Sequence, residues 1–363
     1  MAQSSRVFAM MTGDYPNIGD ALIRERVFAW VRKATGAADV YVGSAPQPWL
    51  ERLGVRASDR VYSTRQLGSF FGALVRSRRP ALVVEPGELD LSARMFARQV
   101  AYLVFAATVR VKGGVVVLPP RAVAHGAFGP SIWVHRAMCR ISQHVWWRNI
   151  RSLDDTGHGA LAPDVAFSEP TYWDDGVARG KLVVSMRGPR PWPGDQWVTA
   201  VRSFADESGL EVVCVPQVRQ DEARARELAE ALGGVHLPWG DRSDIDHEAE
   251  LRSLYRETVI TVSDRLHVLI LASLGGAVPV ELAPSPAPKV RQHFGAVGYK
   301  GVSMDSATAD ATQLIAFLRG ARGRTPEVRR VVLGAQATLK ELERTVRDAV
   351  SGRGARRSVE PAV

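Results

Sequence analysis

Two cysteines, Cys139 and Cys214, are all that this 363-residue chain carries, and they lie far apart with no CxxC or Cys/His ligand spacing. That excludes a disulfide framework and a structural zinc module, and makes a reducing compartment the expectation. Membrane-length apolar runs are missing as well. Outside residues 261–280 the most apolar run is VAYLVFAATV at 100–109, bounded by Arg98 and Arg110. It has about half of the roughly 20 residues a membrane helix needs, so it reads as a buried helix. The start, MAQSSRVFAMMTGDYPNIGD, lacks the charged-then-apolar-then-small layout of a signal peptide, and export is not expected. There is no internal repeat and no low-complexity tract, which argues against solenoid and disordered classes. Walker loop, HExxH, GxSxG and spaced metal ligands are all absent, so no metal or cofactor is expected.

What is present describes a folded protein. Hydrophobic residues make up 46% and charged residues 23% of the chain, both globular values. The length exceeds one ordinary core and fits two domains of roughly 150 residues. A formal charge of +9 favours anionic partners. No nucleic-acid module and no basic stripe interleaved with aromatics accompanies it, so nucleic acid is not an expected partner.

Short β-branched runs alternate with amphipathic segments: RVFAMMTG, VYVGSA, RVYS, ALVVEPG, GVVVLPP and HVWWRN, with helices expected from about Ala21, Gln66 and Ser92 and near 130–142. A second series follows: KLVVSMRG, EVVCVPQ, VHLPW, TVITVSD and AVPVELA, with helices near 195–208, 221–233 and 247–257 and in LHVLILASLGG. Such alternation indicates βαβ units and parallel sheets. The expected fold is α/β, two doubly wound Rossmann-like domains facing across a cleft. Its expected parts are an N-terminal domain at 1–167, a linker at 168–180, a second domain at 181–324, a C-terminal helix at 325–351 and a disordered basic tail at 352–363.

Ligands of such sheets bind beyond the C-terminal ends of the strands, so candidate residues are sought in the loops there. TVSDRLHVLILASLGGAVPV, residues 261–280, places Ser263, Asp264 and Arg265 at a strand-to-helix turn with Leu266 and His267 on the first helical turn. Helix N-termini collect anions; the alternative is an ordinary cap and ion pair with a satisfied core histidine. NIGDALI brings Asn17, Gly19 and Asp20 to another helix start, without the spaced glycines of a dinucleotide fingerprint. EPGELD places Glu85, Gly87, Glu88 and Asp90 at a strand end, where carboxylates suit general-base or hydroxyl-binding work. SMRGPR puts Arg187 after the first strand of the second series, where a bidentate grip on phosphate or a solvated loop arginine are both open. Arg148 ends another strand, and Asp164 in APDVAF reads as a structural turn residue.

Taken together, NIGDALI, PGELD, RNIRSLDDTG with APDVAF, VVSMRG, VPQVRQD and SDRLHVLILASLGGAVPV resemble the polysaccharide pyruvyl transferase family, in that family's order over roughly residues 10–300. The resemblance implies a twin-domain fold like that of metal-independent glycosyltransferases, and transfer of the pyruvyl group of phosphoenolpyruvate to sugar hydroxyls as a ketal. It assigns Arg265, Leu266, His267 and Arg187 to the phosphoenolpyruvate site, in the second domain. The acceptor, a sugar of a polysaccharide, lipid-linked glycan or glycolipid, falls to the first domain. In that scheme His267 donates a proton, Arg265 clamps the anion, Asp90 or Glu88 accepts the hydroxyl proton, and Ser263, Asn17, Gly19, Asp20, Gly87 and Arg148 bind substrate. The chain departs from the family in reading Glu85-Pro86-Gly87 for three glycines and in following Arg148 with Asn149 rather than an acid. A cytoplasmic enzyme is implied, with loose contact at the inner membrane face, where lipid-linked glycans are built. The second reading is a glycosyltransferase using a nucleotide-activated sugar, and the third a binding protein without turnover.

Overall fold

The computed structural model describes residues 6–15, 17–124 and 127–352. They form two compact units: one of described residues within 6–15, 20–165 and 337–352, the other of 17–19 and 166–336. The chain therefore passes from one unit to the other at Val165/Ala166, and most of the basic tail lies outside the described residues.

In the first unit the strands are β1 (Val7–Met10), β2 (Asp39–Gly43), β3 (Arg60–Ser63), β4 (Ala81–Val83), β5 (Gly87–Leu89), β6 (Val115–Val123), β7 (His144–Trp147) and β8 (Ala160–Leu161). They lie parallel in the order β3-β2-β1-β4-β6-β7-β8, with β5 also paired to β6. Helices α1 (Ile18–Arg32), α2 (Gln47–Arg52), α3 (Leu67–Arg76), α4 (Phe96–Val111), α5 (Gly129–Ile141) and α6 (Ile150–Thr156) connect them. Parallel sheets are covered on both faces, which is why VFAM, ALV and VVVL are unbroken apolar runs rather than alternating ones. Pro119 and Pro120 sit inside β6 without breaking it. They fall between its pairing with β4 up to Val117 and with β5 from Arg121, where the register on β7 also shifts, so the missing donors leave no ladder bond unmade.

The second unit contains β9 (Lys181–Ser185), β10 (Glu211–Cys214), β11 (Val235–His236), β12 (Thr258–Ser263), β13 (Val278–Ala283) and β14 (Ser303–Asp305). Their order, β11-β10-β9-β12-β13-β14, is the doubly wound 3-2-1-4-5-6 arrangement. Connections run through α7 (Asp195–Ser208), α8 (Glu222–Leu232), α9 (Asp244–Arg256), α10 (Leu266–Leu274), α11 (Pro288–Ala296) and α12 (Ala311–Arg322), and α13 (Thr325–Val350) ends the described chain. All nine residues of α10 are buried, which accounts for a helix that is apolar all round.

Three details differ from the expectations or add to them. EPGELD, read as a strand end, contains a short strand of its own, Gly87–Leu89. The run at 100–109 belongs to α4, which buries only one side: Tyr102, Phe105 and Val109 face the core while Val100 and Val104 are exposed. Asn149, the departure after Arg148, is the N-cap of α6 and accepts a hydrogen bond from Ser152 N at 2.9 Å. Cys139 and Cys214 are free and buried, and burial pushes both thiols up to about 12.

Candidate functional site

In a doubly wound sheet the crevice opens where strand order reverses, between the first and fourth strands of the unit. In the second unit those are β9 and β12, and the chain leaving them carries the expected arginines. Beyond β9 the segment turns at Gly188, whose N–H donates to Asp221 Oδ1 at 2.9 Å. A Cβ there would stand 2.6 Å from the Gln220 carbonyl oxygen, so only glycine lets the two loops approach this closely. Beyond β12, Ser263 Oγ donates to the Ser185 carbonyl and accepts from Arg265 N at 3.0 Å. That fixes the turn, and makes Ser263 a scaffold residue.

Five charged side chains then sort themselves by distance. Arg265 closes on buried Asp221 with one hydrogen bond, Nη2 to Oδ1 at 2.7 Å, and an ion-pair contact of Nε with Oδ2 at 2.6 Å. Asp264, also buried, accepts from Arg187 N at 3.0 Å. The guanidiniums of Arg187 and Arg190 reach only 3.9 Å and 3.5 Å from the Asp264 carboxylate, at or beyond the limit of a hydrogen bond. Both side chains are partly open to solvent, 33% and 28%. Burial lowers the Arg187 guanidinium below its usual value, with Asp264 acting the other way, yet an arginine stays protonated. The cluster thus joins three cations to two carboxylates, two of the cations only at long ion-pair range. The N-terminus of α10 lies at the same edge without a side-chain cap, adding the positive end of its dipole.

His267 stands in the first turn of α10 and is buried. Gly19, one of the residues that group with the second unit, packs against it so closely that a Cβ would fall 1.9 Å from His267 Nδ1. Asn17 Oδ1 accepts from Gly19 N at 3.0 Å. Glu281, which the motifs did not single out, lies buried near the end of β13 and accepts from Ser303 Oγ at 2.5 Å. Burial first, and the nearby Asp264 carboxylate, lift its carboxyl to about 7, against the pull of Ser303, Arg190 and Arg187.

The matching edge of the first unit is organised differently. Glu85, beyond β4, accepts from Thr12 Oγ1 at 2.5 Å, from Arg98 and from Tyr102 Oη at 3.3 Å. Arg121, fully buried on β6, donates to the Glu85 carbonyl at 2.5 Å, and desolvation holds it down to about 10. Asp20 accepts from Asp14 N at 2.9 Å and pairs with Arg24 at 3.2 Å. Gly87 takes φ +104, and a Cβ there would crowd Ile23 and Arg24. Glu88 and Asp90 are exposed on either side of Leu89. Asp90 accepts from Ser92 N at 2.8 Å, which holds its carboxyl below the usual value and makes it a weak base.

The structure corrects the assignment of Arg148. It is 2% exposed and bonded to fully buried Asp164 at 2.5 Å, so it is a structural ion pair, with Asp164 the structural residue it was read to be. Arg190, Asp221 and Glu281 were missed. Asp221 closes the VPQVRQD motif, and Glu281 is a lone charge inside an apolar parallel strand, a pattern that signals a buried carboxyl. Two concavities, of about 820 Å³ beside Arg179 and Arg329 and about 470 Å³ beside His144 and Trp146, contain none of these residues. Among the described residues no group of three or more His, Cys, Asp or Glu is placed to hold a metal ion.

No family model matches the chain, and no curated protein matches it. Solved structures do. HepE of Anabaena in complex with UDP and glucose is similar over 97% of this chain and 99% of its own, at TM-score 0.56 and 14% identity. A putative UDP-N-acetylglucosamine 2-epimerase of Listeria monocytogenes is similar over 99% of both chains, at 0.60 and 12%. The UDP-GlcNAc 2-epimerase of Neisseria meningitidis bound to UDP-GlcNAc covers 94% of this chain and 99% of its own, at 0.56 and 10%. The chain has the twin Rossmann-like fold of these proteins. The ligands of two of them overturn the expected pyruvyl transfer from phosphoenolpyruvate, because structures that share this fold over nearly the whole chain hold UDP or UDP-GlcNAc. The site agrees with the correction: Arg265, one of the two expected phosphoenolpyruvate clamps, is committed to Asp221.

Proposed function

We propose that this chain is a glycosyltransferase that binds a nucleotide-activated sugar at the strand ends of its second unit and transfers the sugar to a hydroxyl of a glycan acceptor. The carrying observation is the pair Arg187 and Arg190, held beside Asp264 at the β9/β12 reversal yet too far from it to be consumed by it. Two adjacent guanidiniums and an uncapped helix N-terminus suit a diphosphate, whose charge and oxygens exceed what a single arginine can satisfy. The UDP seen in structurally similar proteins supports the same ligand class.

In this reading Arg187 and Arg190 stabilise the charge that builds on the departing diphosphate as the glycosidic bond forms. Buried His267, backed by Gly19, shapes the floor. Among the described residues no helix is long and apolar enough to cross a membrane.

Thermal unfolding with UDP, UDP-glucose and phosphoenolpyruvate tests the proposal. Stabilisation by UDP or UDP-glucose, at saturation worth roughly 3 kcal/mol at a hundredfold excess over Kd, is expected. A response to phosphoenolpyruvate alone would sink it.

A further inference from the structure

Residues 91–153 contain no aspartate and no glutamate, yet hold nine arginines and lysines. This stretch includes α4 and α5, which pack side by side, and α4 also packs on α3. Stacking of Phe71 on Phe105 at 4.9 Å joins α3 to α4, and the edge-on pair Phe96–Phe128 at 6.1 Å joins the start of α4 to the entry of α5. The outward side of this layer is apolar where a solvated helix face would be charged. On α4 the exposed positions Ala97, Val100, Val104 and Val111 recur at helical spacing. Val111 is 88% exposed, Trp133 on α5 is 67% exposed, and Phe128 and Val75 add to the same layer. Single exposed apolar residues are ordinary, whereas an apolar helix stripe on packed helices accompanied by one sign of charge marks an interaction surface. The accompanying charges are Arg76, Arg94, Arg110 and Arg140, all exposed.

We propose that the α3–α4–α5 face of the first unit docks on an anionic lipid surface. Valines give no hydrogen bonds and no stacking planes to a nucleic acid, while they bury readily at a lipid boundary. Tryptophan favours that boundary, and arginines lay their stems along it while their heads meet lipid phosphates. Absence of acidic side chains removes the repulsion that such a surface would otherwise meet. The face belongs to α3–α5 and not to the strand-end cluster of the second unit, so it stands whether or not the donor is a sugar nucleotide.

Cosedimentation of the full chain with phosphatidylcholine vesicles, with and without an equal share of phosphatidylglycerol, tests it without any nucleotide. Binding to the anionic vesicles only, weakening as salt rises, is expected. Each basic side chain near such a surface raises binding about fivefold, so Arg76→Glu/Arg94→Glu/Arg140→Glu should lower it by at least about a hundredfold. Val104→Glu/Trp133→Glu should also abolish it while the melting temperature is kept, since both side chains are exposed. Failure to bind phosphatidylglycerol vesicles at low salt overturns the proposal, as does binding unchanged in both variants. So does tighter retention by an RNA fragment that responds to the arginine variant alone, or self-association of the chain that only Val104→Glu/Trp133→Glu dissolves.

Discussion

The two units reverse strand order in the same way and place charged clusters at the same topological point, but the clusters differ in what their arginines are bonded to. In the first unit the central carboxylate, Glu85, is surrounded at hydrogen-bonding distance by Thr12, Arg98 and Tyr102. In the second unit Asp264 binds a backbone N–H and holds Arg187 and Arg190 only at long ion-pair range, 3.9 Å and 3.5 Å. A guanidinium closely hydrogen-bonded to its acid contributes to stability, and one held at the outer edge of an ion pair keeps its donors for a ligand. The fold supplies two equivalent positions, and side-chain reach decides which of them recruits an anion.

The comparison is most exposed to failure in the first unit. Glu85→Ala removes the acceptor of three donors and leaves the Arg98 and Arg121 cations without their central acid. Leaving the buried Tyr102 hydroxyl without its acceptor costs about 1–3 kcal/mol, and urea unfolding at equilibrium should show a loss in that range. A loss below about 1 kcal/mol would mean that the Glu85 network is solvated and that the two clusters are alike.

How far the sequence revealed this depends on the element. Alternation of apolar runs with amphipathic segments identified both series, and α7 has the bounds read from its pattern, because a whole helix face of periodic residues defines it. β5 and β8 have three residues and two, too few for a periodic signal, and exist only because β6 and β7 offer ladder partners. The Arg-Leu-His motif lies at the strand-to-helix turn read from its pattern, between β12 and α10. Sequence spacing shows that Arg265 starts a helix, but its pairing with Asp221, 44 residues earlier, follows from the β10-β9-β12 neighbourhood that the sheet builds. Arg148 misled for the same reason, since Asp164 meets it only once β7 and the chain after β8 lie together.

Glu281 sharpens the comparison from within the second unit. Its carboxyl is held near 7 in the fold against 4.5 when unfolded. The folded state therefore keeps the proton as the unfolded chain loses it, and stability falls as pH rises from about 4.5 to about 7, then levels off. The full difference is worth about 3 kcal/mol. Glu281→Gln should flatten that part of the stability–pH curve, with the variant gaining on the parent above pH 7. Parallel curves for the two proteins across pH 4–8 would show that the carboxyl reaches solvent and that the second cluster is more open than its distances imply.

Arg187→Ala gives the smallest effect and the most specific one. Its side chain is a third exposed and makes no short ion pair, so removing it should change the unfolding free energy by less than about 1 kcal/mol. A charge-assisted hydrogen bond to a ligand is worth about 1.5–3 kcal/mol, which corresponds to a loss of UDP affinity between about tenfold and a hundredfold. Titration calorimetry on parent and variant would measure it. The matching change in the first unit, Arg98→Ala, should do the reverse, lowering stability through Glu85 and leaving UDP affinity unchanged. If both substitutions weakened UDP binding equally, the distinction between a closely and a loosely paired arginine would not be what separates the two clusters; if Arg187→Ala alone did so, reach to Asp264 is the property that makes the second one a binding site.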